Sequence, residues 1–275
     1  MPELNIAWHE GWTWLSGSLL AAFIWSNLTW FLHRPKSGPA GEFIAQLTSS
    51  PLSPLLLQFL RLLYYLGVPF AALLWGHDAI IKHALGLKQL ALPIGSGHAA
   101  ADVATNWKNW SQDAGWAAAL GFGTWGLLAL GWWSYRRALT VAGEGSSIAG
   151  ANSSGWVLLR EAAYHEIHWA FYRNAPMIAL EQQTGDRYWG VWIGLALVAL
   201  EAMLNPVWRA GLLEPKQAPA QLMRGVLAVV SGVLFLQTEN LWATLVVHWW
   251  VSWGLVMVVR ALPLLSARET TQITT

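Results

Sequence analysis

Apolar residues run along this chain in long unbroken stretches, neither alternating as in a half-buried strand nor confined to one stripe as in a surface helix. Seven such stretches, bounded by charge, Pro or Gly, fall at roughly 12–32, 54–76, 114–135, 156–180, 188–208, 221–237 and 241–262. A helix of about 20 apolar residues crosses a hydrocarbon core about 30 Å thick. With its backbone bonds satisfied internally, the helix is the form such a segment takes in lipid. The pattern therefore predicts an all-α fold, a polytopic transmembrane helix bundle with about seven spans. The first stretch lacks a basic leader and a small-residue cleavage site, so it is expected to be a span and not a signal peptide. Four regions follow along the chain: an N-terminal three-span part, 1–141; a linker, 142–155; a four-span core, 156–262; and a tail, 263–275. The linker is built from Gly, Ser, Ala and Asn without periodicity. Within the first part, 77–113 mixes His77, Asp78, Lys82, His83, Lys88, His98 and Asp102 with Trp107 and Trp110, which predicts amphipathic pieces lying at the membrane surface.

Composition sharpens this picture. Hydrophobic residues make up 55% of the 275 positions and charged residues only 11%, where soluble domains carry about 25% charge. A net charge of +1 with no basic block offers nothing to gather nucleic acid, so nucleic-acid binding is excluded as the main function. The absence of Cys removes disulfides, thiolate metal sites and cysteine nucleophiles, leaving His and carboxylates as the available metal ligands. The chain has 21 Trp, and indole prefers the headgroup level, so many helix ends should carry a tryptophan. One set of alternate loops holds Arg34, Lys36, Arg136, Arg137, Arg209, Lys216, Arg260 and Arg268, and the other holds Lys82, Lys88, Lys108 and Arg187. Cytoplasmic loops hold the excess of Lys and Arg. The N-terminus is thus expected outside and the C-terminus in the cytoplasm, with a bacterial inner membrane as the setting.

Ionisable groups inside spans cost about 2.5–3.5 kcal/mol or more, so each calls for an interior partner or a function. The fourth span, WVLLREAAYHEIHWAFYRNAPM, contains Arg160, Glu161, His165, Glu166, His168, Tyr172 and Arg173, and is expected to be central. On a helical projection Glu161, His165, His168 and Tyr172 fall within about 60° of one another, while Glu166 and Arg173 share a second stripe about 100° away. The fifth span carries Glu201, followed by Asn205 and a Pro206 that bends or ends it. The seventh carries His248 and Ser252 one turn apart. Arg61, in RLLYYLGVPF, is the charge of the second span and is expected to neutralise a carboxylate, with Pro69 bending the helix beyond it. The bland reading of all this is a buried structural network in which Glu166 pairs with Arg173 or Arg160 and the histidines donate to carbonyls.

The order of these features resembles the CPBP family of CAAX-processing and bacteriocin-processing intramembrane proteases, over roughly residues 156–255. The family pattern is two adjacent glutamates with an arginine four further on, then an aromatic with a histidine four later, then a histidine with Asn or Asp four beyond. LWATLVVH, ending at His248, looks like the third motif, and ALGLK at 84–88 looks like an element that precedes the family core. His165 and Glu166 stand at the paired glutamates, Ala170 at the arginine, Leu197 and Glu201 at the aromatic and histidine, and Ser252 at the final Asn or Asp.

The resemblance implies an endopeptidase cutting a transmembrane or prenylated peptide. Glu166 would act as general base on a water, Glu201 and His248 would complete the catalytic set, and Glu161, Arg173 and Ser252 would support it. His165, His168, Glu201 and His248 are chemically sufficient ligands for zinc or another divalent metal. The alternative is a catalytically degenerate scaffold, an accessory subunit held among membrane lipids and other transmembrane subunits, near pigments or quinones. A di-metal carboxylate oxidase ranks below both, because the repeated Glu-x-x-His pairs of that fold are missing.

Overall fold

The computed structural model describes residues 11–33, 38–75, 85–90, 100–141 and 154–261. Its elements are helices: α1 (Gly11–His33), α2 (Pro39–Ser49), α3 (Ser53–Trp75), α4 (Ala100–Val141), α5 (Gly155–Thr184), α6 (Tyr188–Leu204), α7 (Pro206–Leu213), α8 (Ala218–Thr238) and α9 (Leu241–Ala261). No strand occurs among the described residues. The linker predicted at 142–155 lies outside them except for its last two positions, and so does the tail at 263–275. Most of the histidine-bearing stretch 77–98 lies outside them as well.

Four of these helices are long and apolar enough to cross a membrane, α3, α4, α8 and α9, and α6 with α7 makes a fifth if the bent pair counts as one span. Length and apolarity thus support four or five of the seven spans expected from the sequence. The reason is composition: α5 carries Arg160, Glu161, Glu166 and Arg173, and α1 is diluted by Ser16, Ser18, Ser26 and Asn27. Two boundaries also change. The helix predicted at 114–135 extends over Ala100–Val141, so the last part of the presumed surface segment is continuous with it. The span predicted at 188–208 breaks by 81° between Leu204 and Pro206. Asn205 is extended there, as the residue before a proline tends to be, and its Oδ1 accepts from the N–H groups of Val207 and Trp208, capping α7.

Two compact units divide the chain: Met1–Leu87 with Tyr164–Ala210, and Lys88–Ala163 with Gly211–Thr275. In the first, α1 packs on α6 and on the last part of α3. From Tyr164 onward α5 is the core of this unit, with every residue from His168 to Met177 buried. It meets α6 through glycine. A Cβ on Gly190 would lie 2.5 Å from the Met177 Cα, and one on Gly194 would lie 2.5 Å from the Arg173 Cα. This small-xxx-small spacing lets two helix backbones touch.

In the second unit α4, α8 and α9 pack against one another. The α4–α9 seam is reciprocal: Trp250 lies over Gly121, and Trp125 lies over Gly254. Across both units the tryptophan expectation is met at helix ends. Trp12, Trp156, Trp189 and Trp242 are second residues of α1, α5, α6 and α9, Trp75 is the last of α3, and all are exposed. The outer side of α3 is apolar and exposed, with Leu55, Leu56 and Phe59 open to the surroundings, as contact with lipid requires.

Candidate functional site

The polar groups of the first unit gather around His168. Its Nε2 lies 2.8 Å from Glu201 Oε2. An ionised carboxylate can only accept, so the proton of that contact belongs to Nε2. Burial makes the pair costly unless it is well bonded: the His168 side chain is 3% exposed and that of Glu201 19%. The hydroxyl of Tyr64 supplies the further bond, donating to Glu201 Oε1 at 3.1 Å. Tyr172 lies 3.2 Å from Tyr64, and Ser18 lies 3.3 Å from Tyr172. His168 Nδ1 is buried and has no hydrogen-bond partner among the described residues.

Each side chain has a local reason for being there. His168 and Tyr172 are one turn apart on α5, on the stripe read from the sequence. Glu201 comes from α6, which runs antiparallel to α5. As α6 advances from Gly190 to Gly194 to Glu201, its partner retreats from Met177 to Arg173 to His168. The turn between the helices is short, because Gly185 takes a left-handed φ of 74° and donates its N–H to Glu181, ending α5. Ser18 comes from the buried side of α1.

Tyr64 comes from α3, where five residues, Leu63–Gly67, form a π-helical turn.

The remaining candidates are placed as follows. His165 stacks on Tyr65, with centroids 5.8 Å apart, and meets Trp169 edge-on. Glu166 is fully buried within Coulomb reach of Arg173, itself buried, so the second stripe is an internal charge pair of the first unit. Arg61 lies over the rings of Tyr65 and Tyr164, at 5.4 Å and 5.5 Å, a cation–π arrangement. Glu161 accepts from Arg160 at 3.2 Å. His248 and Ser252 belong to the second unit, where both are buried on α9. Among the described residues no three His, Asp or Glu side chains gather in a way that could hold a metal ion. His168 and Glu201 turn their polar atoms toward each other.

The second unit has its own buried polar centre, which the sequence reading missed. Asp113 Oδ2 accepts from Lys88 Nζ at 2.7 Å and from Asn240 Nδ2 at 2.8 Å. Asn240 also caps α9, its Oδ1 accepting from the N–H groups of Trp242 and Ala243. Just before it, Glu239 adopts a left-handed φ of 47° and closes α8. An Asn directly ahead of an apolar helical run is a start signal visible in TENLWATLVV. The Gly-x-x-x-Gly of YWGVWIG is a signal by which the α5–α6 contact could have been found. No signal in the sequence singled out Tyr64, Ser18 or Asp113.

Comparison of the chain with known protein families, with curated proteins and with solved structures gives no match.

Proposed function

We propose that this protein is an integral-membrane hydrolase of the intramembrane-endopeptidase kind, with His168 and Glu201 as its acid–base centre. One observation carries the reading: Glu201 engages His168 through Nε2, which leaves the Nδ1 lone pair as a sheltered base without a competing hydrogen bond among the described residues. A carboxylate holding one imidazole nitrogen while the other takes a proton is the arrangement general-base catalysis needs. Nδ1 would accept a proton from a water as its oxygen attacks a carbonyl, and Glu201 would stabilise the imidazolium that forms. His168 thus takes the base role that the CPBP resemblance gave to Glu166, whose charge is engaged by Arg173. The substrate class, a transmembrane or prenylated peptide, comes from that resemblance. Seven crossings with the N-terminus outside complete the proposal.

A second reading is favoured by the Glu166–Arg173 pair: a scaffold subunit whose polar core locks helices for assembly with other transmembrane chains. One experiment separates the two. The purified chain in liposomes is given fluorogenic prenylated and transmembrane peptides, in parallel with His168→Gln and Glu201→Gln. Cleavage that falls about 100-fold or more in both variants supports the hydrolase. No cleavage by the unmodified chain, with loss of a larger native-gel complex in the variants, supports the scaffold. Metal analysis of the same preparation checks the zinc expectation separately, since one bound ion per chain would point to metal-assisted hydrolysis instead.

A further inference from the structure

The π turn of α3 is where the candidate site gains a residue that neither the charge pattern nor the family resemblance assigns. Val68 donates its N–H to the carbonyl of Leu63, five residues back, so the helix is locally wider than an α-helix. Pro69 follows directly. Having no N–H, it cannot bond the Tyr65 carbonyl as a regular helix would, and the widened turn accommodates that loss. The consequence lies in the direction of two side chains. Consecutive residues of a regular helix diverge by about 100°, yet Tyr64 and Tyr65 both reach the same imidazole, with centroids 5.1 Å and 5.0 Å from that of His168.

Proton inventory then fixes what the Tyr64 hydroxyl does. It has one proton, and that proton goes to Glu201 Oε1. Toward Tyr172 it can therefore only accept; the Tyr172 hydroxyl also lies within hydrogen-bonding reach of Glu201, with Ser18 3.3 Å behind it. Ser18, Tyr172 and Tyr64 thus stand together behind the carboxylate. Glu201 is thereby held at both oxygens, Oε1 by Tyr64 and Oε2 by His168. The terminal torsion of a glutamate is broad and roughly two-fold. Without the first bond the carboxylate could turn, and the imidazole would lose the partner that keeps its proton on Nε2.

We infer that Tyr64 is the positioning residue of the His168–Glu201 centre, delivered to Glu201 Oε1 by the π turn at Leu63–Gly67. The inference rests on the reading of His168 and Glu201 as the working pair. Its effect passes through Glu201 and through the direct approach of its hydroxyl to His168 Nε2 at 3.4 Å: it selects the imidazole tautomer that leaves Nδ1 bare. A ligand-orienting outer-shell group of this kind is worth 10- to 100-fold in activity by analogy with second-shell partners at metal sites, so a loss of about 10-fold in kcat with little change in KM is expected for Tyr64→Phe.

The test uses the full chain in lipid nanodiscs with ¹⁵N-labelled histidine, the His168 signals being identified by their loss in His168→Gln. The unmodified chain and Tyr65→Phe should show a single tautomer protonated at Nε2. Tyr64→Phe, which keeps the ring and removes the hydroxyl, should show a mixture of Nε2–H and Nδ1–H forms. Tyr64→p-aminophenylalanine restores a donor at the same place and should restore the single form, which a purely packing role for the ring would not predict. A His168 signal unchanged by Tyr64→Phe overturns the inference whatever the peptidase assay shows. A changed signal in a chain that cleaves none of the peptides leaves the positioning role standing and removes the hydrolase reading.

Discussion

Asp113 shows how a buried charge is made tolerable. Both its donors bond a single oxygen, Lys88 and Asn240 converging on Oδ2, and Asn240 is fully buried. Breaking such a pair leaves an uncompensated charge, which costs about 3–5 kcal/mol when fully buried. The Lys88 side chain is 27% exposed, so water relieves part of that cost. Asp113→Asn is therefore expected to destabilise by about 1–3 kcal/mol, read as a shift in reversible SDS unfolding in mixed micelles. An unchanged unfolding midpoint would mean the ammonium is solvated without the carboxylate. Asp113 escaped notice in the sequence because it lies among ordinary polar residues of NWSQDAG, in a segment read as surface. His168 and Glu201 stood out for the opposite reason, as ionisable groups in otherwise apolar runs. Residue types can be weighed one at a time; partners cannot.

Helices α5 and α6 owe their closeness to two missing methyl groups. Gly190, Gly194 and Glu201 occupy one face of α6, so the surface that touches the α5 backbone also carries the carboxylate to His168. A Cβ at 194 would stand 2.5 Å from the Cα and 2.6 Å from the Cβ of Arg173, and backbone has no flexible end to move aside. Gly194→Ala should cost about 1–3 kcal/mol of stability, as overpacking does. It should also lengthen the His168–Glu201 contact, two turns along, so that proposed hydrolysis falls with it. If Gly194→Ala retained full stability and activity, the helices would have to separate without disturbing the pair. Apolar length predicted where α3, α8 and α9 lie to within a few residues. It failed at α4, because the polar turns before residue 114 are as helical as the apolar ones after it, and periodicity reads burial before it reads backbone form. The bend after Leu204 was foreshadowed by Pro206, while its 81° angle was not.

Crossing number decides the sidedness of the chain. An odd count, seven or five, places the two ends on opposite faces of the membrane, whereas four would place them together. The chain has no Cys, so single cysteines introduced by Asn5→Cys and Thr270→Cys report directly. With an impermeant maleimide on intact cells, the proposed topology expects labelling at 5 and protection at 270 until the membrane is opened. Labelling of both, or of neither, before opening would establish an even count. Helix α5 is the element on which the count turns, since its polar residues fail an apolarity test while two of its charges, Glu166 and Arg173, are buried. Hydropathy averages over all sides of a helix, but lipid meets only the outward one.

By itself the amino-acid sequence determined the solvent and the backbone form of this protein. Long apolar runs and scarce charge are local properties, and their free energies add residue by residue whatever the partner. The sequence also determined that α5 would be polar and central, and that His165, His168 and Tyr172 would share a side, because helical periodicity is set by neighbours within two turns. Only the tertiary structure decided which polar groups meet: Glu201 with His168 from 33 residues away, Tyr64 from 104, and Asn240 with Asp113 from 127. Such contacts depend on helix register, on where glycine admits a neighbouring backbone and on one widened turn. Those are properties of surfaces fitted together, and no window along the chain contains both halves of the fit.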